Sequence, residues 1–383
     1  MRGGMHPHKD REMLEREIEA QALKLFMSNP NFAKRGLKWC FNFIYFRTMY
    51  CASSEKVREY IYNYRPFPEW IEIEASTCCP LKCQMCEHTH WKEKSQNMTF
   101  EQFKKIIDEM PELRWFGFTG IGESYFNPDY KKMLDYARAK NPACFFEIFD
   151  NFNWVKTEDI EHWFDVGIDK VYVSMDAATK DTYEKIRVNG NFDTVVKNIK
   201  KFDKMKKVRN SYFPELWFHY IFGKHNVHEM KKYLDLIHEM GVDVKQVQFT
   251  KLLHAYPEVK KWVMDISDEE RKDITEYGAK LGIRITWNIN TKIEKDRLNQ
   301  CTVWGMPFIF VTGDLIPCCS LNEQNDRPWQ VKTSLGNIFK DDFRKIWYGK
   351  KYKKLVDDLK ENKCSGACTR CILYKKNVRN THG

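Results

Sequence analysis

Between Trp70 and Trp287 the sequence repeats one pattern. Short runs rich in β-branched and aromatic residues lie at Trp70–Ala75, Trp115–Thr119, Phe145–Phe149, Lys170–Met175, Leu216–Phe222, Val244–Phe249 and Ile283–Trp287. Between them, helical periodicity covers Thr99–Met110, Pro128–Lys140, Thr157–Phe164, Phe192–Lys206, Val227–Met240 and Asp268–Leu281. Strand and helix in regular turn imply a parallel sheet covered by crossover helices. An open or complete barrel and a doubly wound sheet both satisfy the pattern, and periodicity does not choose between them. In either, reacting groups belong at the carboxyl ends of the strands.

The flanks differ. Residues 1–68 read as helical. An amphipathic stretch from Asp10 to Ser28 is broken at Asn29-Pro30-Asn31, a second runs over Phe32–Cys51, and a third over Ser54–Tyr62 stops at Arg65-Pro66-Phe67-Pro68. The second mixes Lys34, Arg35, Lys38 and Arg47 with Trp39, Phe41, Phe43, Tyr45 and Phe46, a composition suited to a membrane-surface helix over residues 32–50 or to a helix packed beneath the sheet. Near residue 290 the alternation ends. A hairpin at Phe308–Thr312 and Leu315–Pro317, turning at Gly313-Asp314, precedes a helix from Asp341 to Leu359 and a Cys-rich tail. Three units are expected: 1–68, 69–295 and 296–383.

Thirteen cysteines stand in a chain of 383 residues with no apolar signal or membrane-spanning run, so a reducing, cytoplasmic location is expected, peripheral to the membrane if residues 32–50 bind lipid. There, many cysteines point to metal rather than to disulfides. The net charge of +10 is spread among acidic residues at helical spacing and reads as a solvated surface, with no nucleic-acid partner expected. Two triplets share one spacing: Cys79-Pro-Leu-Lys-Cys83-Gln-Met-Cys86 and Cys364-Ser-Gly-Ala-Cys368-Thr-Arg-Cys371. Thiolates are the usual ligands of iron–sulfur clusters, and three on a cubane leave one iron open. Zinc is the rival, although it normally needs four protein ligands. The first triplet directly follows the first strand, where such folds place chemistry; the second has no sheet of its own and reads as an added site. Cys40, Cys51, Cys78 and Cys144 have no partner pattern and read as small buried residues.

The Cys79-x3-Cys83-x2-Cys86 loop after the first strand resembles the radical S-adenosylmethionine (SAM) superfamily. Gly120-Ile121-Gly122-Glu123, ending the second strand, is similar to that family's glycine-rich motif for the methionine amino group. The resemblance implies an α/β fold, a partial (β/α)6 TIM-like barrel with a helical N-terminal extension. It also implies SAM contacts at Gly120, Gly122 and Glu123, at Asn151 after the third strand, at Ser174 and Asp176 after the fourth, and at Arg187. Met85 stands where the family often has an aromatic residue packed on adenine. Cys301, Gly313, Cys318, Cys364, Cys368 and Cys371 look like the SPASM/twitch extension, which holds auxiliary 4Fe–4S clusters. The cysteine count suits one, with Cys301, Cys318, Cys368 and Cys371 as the leading ligands and Cys319 and Cys364 as alternates.

The chemistry so implied is reductive cleavage of SAM to a 5′-deoxyadenosyl radical. Hydrogen is then abstracted from an unactivated C–H bond, and the auxiliary cluster accepts the electron left behind, giving net oxidation or a new bond. A flavodoxin or ferredoxin is the expected electron donor. Because the first 68 residues look helical, without the strands of a peptide-binding unit, the expected substrate is a small molecule, a sugar or a lipid-linked compound. A peptide- or protein-modifying enzyme is the alternative, and a non-catalytic iron–sulfur or zinc protein a third reading. His88, with His90 and Trp91 beside it, and His219 on the fifth strand are the catalytic candidates, His219 as a base inside the barrel.

Overall fold

Strand segments in the structure, a computed structural model, are β1 (Trp70–Ile73), β2 (Lys82–Cys83), β3 (Trp115–Phe118), β4 (Phe145–Asp150), β5 (Lys170–Ser174), β6 (Arg187–Val188), β7 (Glu215–Phe222), β8 (Val244–Lys251), β9 (Ile285–Asn288), β10 (Phe308–Ile309), β11 (Asp314–Ile316) and β12 (Gly336–Asn337). The residues described are 7–51, 54–90, 92–252, 257–288, 298–319 and 326–371; Trp91 lies outside them.

One sheet runs β12-β11-β10-β1-β3-β4-β5-β7-β8-β9, and β2 with β6 forms a separate ribbon. From β1 to β9 every pairing is parallel. Each of these strands lies beside its predecessor in the chain. A doubly wound sheet would reverse direction at a switch point; this progressive order is that of a partial TIM-like barrel, open between β9 and β12.

Strand side chains alternate between two faces. Ile71, Ile73, Phe116, Phe118, Phe146, Ile148, Val171, Val173, Phe218 and Tyr220 are buried in one core with residues of the surrounding helices. The opposite parity turns Glu72, Gly117, Glu147, Tyr172, Trp217 and His219 to the lumen. Helix ends follow their sequence signals: Thr99 with Gln102 and Ser267 with Glu270 form capping boxes, and Gly241 at φ 62° ends the helix Met230–Met240.

The extension folds as α1 (Pro7–Ser28), α2 (Pro30–Ala33), α3 (Leu37–Phe46), a π-helical turn at Arg47–Cys51, and α4 (Glu55–Tyr64). The single helix expected over Phe32–Cys51 is divided because Gly36, at φ 90°, turns the chain between α2 and α3. α3 lies across the amino ends of the strands. Phe46 stacks on Trp115 at 3.8 Å, Trp115 on Phe145 at 3.8 Å, and Trp39 packs against Phe43 and Phe145 at 5.5 and 5.6 Å. Arg35 reaches the buried Asp169 at 2.6 Å, and Asn42 donates to the Ala143 carbonyl at 2.8 Å. The membrane-contact expectation for residues 32–50 is therefore corrected: its large rings form the floor of the barrel. Among the described residues no helix is long and apolar enough to cross a membrane.

At the other end of the chain, β10 adds to β1 in parallel and turns back as β11, so the sheet continues across the expected boundary near 295. The helix expected over Asp341–Leu359 is two helices, Phe343–Trp347 and Lys350–Lys360, separated at Gly349. Tyr62 of α4 donates to the Cys301 carbonyl at 2.6 Å, and Tyr352 to the Trp304 carbonyl at 2.6 Å.

Candidate active site and auxiliary cluster site

Cys79, Cys83 and Cys86 lie on the loop that leaves β1, at the carboxyl rim of the barrel. Local bonds shape the loop: Ser76 Oγ accepts from the Cys78 amide at 3.0 Å, the Cys86 amide donates to the Cys83 carbonyl at 3.0 Å, and Thr89 Oγ1 donates to that carbonyl at 2.6 Å. The three cysteines and Met85 share an apolar patch with Leu81, Ile186, Trp154 and Ile221. Burial pushes the Cys79 thiol up to about 12, with Glu123 and Cys83 nearby adding to the effect and Arg187 opposing it. Burial also raises Cys83, against the pull of Arg187. Binding a cluster would displace these thiol protons.

The Gly120–Glu123 loop is seated against the same segment. A Cβ on Gly122 would stand 2.4 Å from the Ser76 carbonyl oxygen and 2.5 Å from Thr77 Cα. Gly120 adopts φ 148°, where a Cβ would meet Glu74 Cγ at 2.6 Å. The Glu123 amide donates to the Cys78 carbonyl at 2.9 Å, tying the two loops together. Glu123 Oε2 accepts from the Asn151 amide at 3.3 Å and from Asn151 Nδ2. Burial first, then Asp150, raises the Glu123 carboxyl well above the usual range; burial brings Asp150 to about 7.

Across the rim, Arg187 holds Asp176 at 2.5 Å through Nη2 and 2.7 Å through Nε, and Asp176 Oδ1 accepts from the Ile221 amide at 2.7 Å. In the β2–β6 ribbon Arg187 pairs with Cys83, its Nη1 4.0 Å from the sulfur. Ser174 stands in register with His219. His219 Nε2 lies 2.8 Å from Thr250 Oγ1, its ring edge-on to Phe149 at 6.1 Å, and burial lowers it to about 4. His88 is placed differently: on the short helix Glu87–His90, it is buried against the cysteine loop beside the backbone of Thr77 and Leu81, where burial and Lys82 lower its pKa. His90 Nε2 lies 3.4 Å from the Gln84 carbonyl.

Far along the chain a second group assembles. Burial first, then Cys318, Cys301, Cys371 and Cys364 nearby, raises the Cys368 thiol well above its ordinary value, so each of the four lies within electrostatic reach of Cys368. Cys364 Sγ lies 3.0 Å from the Cys368 carbonyl. Cys319, beside Cys318, is half-buried. Among the described residues no three His, Cys, Asp or Glu side chains close around a single metal ion; thiols that ligate a cubane stand farther apart than that. Cys40 and Cys144 are buried as expected, whereas Cys78 is half-exposed.

The chemistry of both donor sets fits iron–sulfur clusters. At the rim, three cysteines, glycines that admit no side chain, and a guanidinium beside one sulfur suit a cluster whose open iron takes an amino-acid-bearing ligand. Sequence reasoning missed Glu74 and Arg327, an ion pair at 2.8 Å with both partners buried, and Lys170, whose ammonium meets Glu147 at 3.1 Å amid the rings of Trp115, Phe145, Tyr172 and Trp217. For Glu74 and Lys170 the available signal was a charged residue at a lumen-facing position of an otherwise apolar run; for Arg327 and its pairing with Glu74 there was none.

The radical SAM superfamily profile matches residues 73–237, and the SPASM profile, an iron–sulfur cluster-binding domain, matches residues 301–372. The chain belongs to the radical SAM superfamily and carries a C-terminal SPASM domain. This radical SAM enzyme thus uses SAM with a 4Fe–4S cluster, and its SPASM domain is an auxiliary iron–sulfur site. It is 24% identical over 322 residues to the tungsten-containing aldehyde ferredoxin oxidoreductase cofactor-modifying protein of Pyrococcus furiosus, covering 80% of this chain and 87% of that one. It is 22% identical over 318 residues to the mycofactocin maturase MftC of Mycolicibacterium smegmatis, covering 79% and 75%. Among solved structures, Streptococcus suis SuiB bound to precursor peptide SuiA shares the fold at TM-score 0.60 and 15% identity, over 78% of this chain and 71% of that one. The anSMEcpe structure with AdoMet and the Cp18Cys peptide does so at TM-score 0.57 and 17% identity, over 82% and 96%.

Proposed function

We propose that this radical SAM enzyme modifies a peptide or protein substrate held in the barrel lumen, removing hydrogen from an unactivated carbon and completing a net oxidation or bond formation with the help of its auxiliary cluster. The observation that carries the reading is a barrel closed at its amino end and bearing its candidate cofactor side chains at the other. Trp70, Trp115 and Phe145 are sealed beneath by α3, while the candidate cofactor side chains from Cys79 to Arg187 gather at the opposite rim. A substrate reaches the lumen past that rim or beside the open sheet edge. The relatives favour an extended substrate: one is named a maturase, and two structures of this fold are described with bound peptides. The small-molecule and lipid-linked expectation gives way accordingly. A second reading, a small-molecule cofactor as substrate, is favoured by the Pyrococcus relative's description as a cofactor-modifying protein.

In this reading Cys79, Cys83 and Cys86 hold the catalytic cluster, and Cys301, Cys318, Cys368 and Cys371, with Cys364 beside them, hold the auxiliary one. When bound, the cluster and SAM supply one-electron cleavage of the sulfonium and a carbon radical that takes a hydrogen atom. Gly120 and Gly122 bring backbone close to the SAM amino group, and Asn151 orients the Glu123 carboxyl toward it. Asp176 holds Arg187 so that its positive charge offsets the Cys83 thiolate and meets the SAM carboxylate. Ser174 faces the lumen beside His219, in reach of a ribose. Leu81, Met85, Trp154 and Ile221 exclude water from the rim. His219, kept neutral by burial and held by Thr250, accepts a proton from a substrate group in the lumen. His88 braces the cysteine loop. A flavodoxin or ferredoxin delivers the electron.

The test is isotopic. The purified enzyme, reduced without oxygen, is given SAM and a peptide pool extracted from cells of its own organism grown on deuterated amino acids. Deuterium in the 5′-deoxyadenosine and a mass change in a peptide of the pool are expected. Unlabelled 5′-deoxyadenosine with an unchanged pool would remove the peptide reading.

A further inference from the structure

Glu74 is a fully buried carboxylate at the end of β1, and its two oxygens serve different elements. Oε1 accepts from the Ile121 amide, inside the glycine-rich loop, at 3.3 Å; Oε2 accepts from the Val311 amide, after β10, at 3.1 Å. Arg327 Nη2 contacts both oxygens, at 2.9 and 2.8 Å. Gly120 leaves no room for a Cβ against Glu74, so loop and carboxylate are in direct contact.

Arg327 is in turn connected to the Cys-rich tail. It opens the helix Arg327–Lys332, whose cap, Asp326, accepts from the Trp329 amide at 3.1 Å and pairs with Arg370 at 2.8 Å. Arg370 lies between Cys368 and Cys371, its guanidinium over the Trp329 ring at 4.5 Å. Two ion pairs, Arg370–Asp326 and Arg327–Glu74, joined through the adjacent residues 326 and 327, therefore link the chain segment bearing Cys368 and Cys371 to the backbone of the Gly120–Glu123 loop.

A buried ion pair is a poor adhesive, since apolar residues of the same volume would often hold two elements together better. What a carboxylate with four contacts from three donor nitrogens supplies is orientation. We propose that Glu74 and Arg327 are positioning residues that couple loading of the auxiliary cluster to SAM binding: ligation at Cys368 and Cys371 fixes Arg370 and the helix from Arg327, Arg327 fixes Glu74, and Glu74 fixes the Ile121 amide. The proposal rests on the site reading above. Coupling of this kind is reciprocal, so SAM must equally favour the loaded auxiliary site.

The experiment is anaerobic calorimetry of SAM binding to the reconstituted full-length enzyme. Wild type is compared with Arg327→Met, with Cys371→Ala, which empties the auxiliary site, and with the double variant; iron content and hydrogen exchange across residues 119–123 are followed in parallel. Each single variant weakens SAM binding roughly 10-fold, within the usual span of coupling between sites. Each also speeds exchange at Ile121, and the double variant is no worse than either single one. Losses that add in the double variant, or an Arg327→Met enzyme with wild-type SAM affinity, overturn the coupling. Should Arg327→Met not fold, Glu74→Gln keeps size and one acceptor and carries the same expectation; wild-type affinity there overturns the proposal. A wild type that holds both clusters but binds no SAM overturns the site reading, and the coupling with it.

Discussion

Cys83 and Arg187 face each other across the β2–β6 ribbon, with Arg187 Nη1 4.0 Å from the Cys83 sulfur and Asp176 holding the guanidinium from behind. A metal-bound thiolate there gains a compensating positive charge that an apolar side chain cannot supply. Arg187→Met removes that charge and leaves Asp176 buried without its partner. A stability loss of about 3–5 kcal/mol is expected. Iron analysis and chemical denaturation should show a less stable protein with a poorly retained first cluster, and Arg187→Lys should fall between the two.

Gly122 sits where the glycine-rich loop touches the cysteine loop. Gly122→Ala places a methyl 2.4 Å from the Ser76 carbonyl oxygen, so one loop must move. The expected cost is about 1–3 kcal/mol, with SAM affinity reduced more than global stability. Calorimetric titration of SAM checks this; unchanged affinity would mean that the loops are not locked together.

His219 gives a pH signature. Its folded value is about 4, against an ordinary value of 6.5, because burial disfavours the cation. The unfolded chain therefore binds this proton first. Its contribution is fully present above about pH 6.5, declines as pH falls toward about 4, and is level below that; the loss is at most about 3 kcal/mol. Denaturation midpoints measured from pH 7 to pH 4 should fall less steeply in His219→Gln than in wild type.

Trp39 anchors the floor and is 2% exposed. Trp39→Ala should cost about 3–5 kcal/mol. Because the rings of residues 32–50 face the strands, wild-type protein should not float with anionic liposomes. Flotation that is lost on mutating Lys34 and Lys38 would show that this surface binds membranes after all.

The fold was legible because every strand of the parallel sheet from β1 to β9 is marked by an apolar run bounded by helical periodicity, whereas the short β2–β6 ribbon is not, and a parallel sheet buries both faces. The rim was legible because Cys79, Cys83, Cys86, Gly120 and Gly122 are close together in sequence within their loops. Glu74 and Arg327 were not, since a contact between residues so distant leaves no local pattern. The role of residues 32–50 was left open between a membrane surface and the underside of the sheet for a related reason. Trp39, Phe43 and Phe46 have the same composition on lipid as on a ring of Trp115 and Phe145, and only the sheet's amino edge reveals which surface they cover.

Production of 5′-deoxyadenosine from SAM by the reduced, oxygen-free enzyme tests the whole account most directly when wild type is set beside a variant carrying alanine at Cys79, Cys83 and Cys86. Wild type should cleave SAM, whereas the variant should release none while keeping about four irons per chain at the auxiliary site. Equal 5′-deoxyadenosine from both proteins, or equal iron in both, would contradict the assignment of the catalytic cluster to these three cysteines.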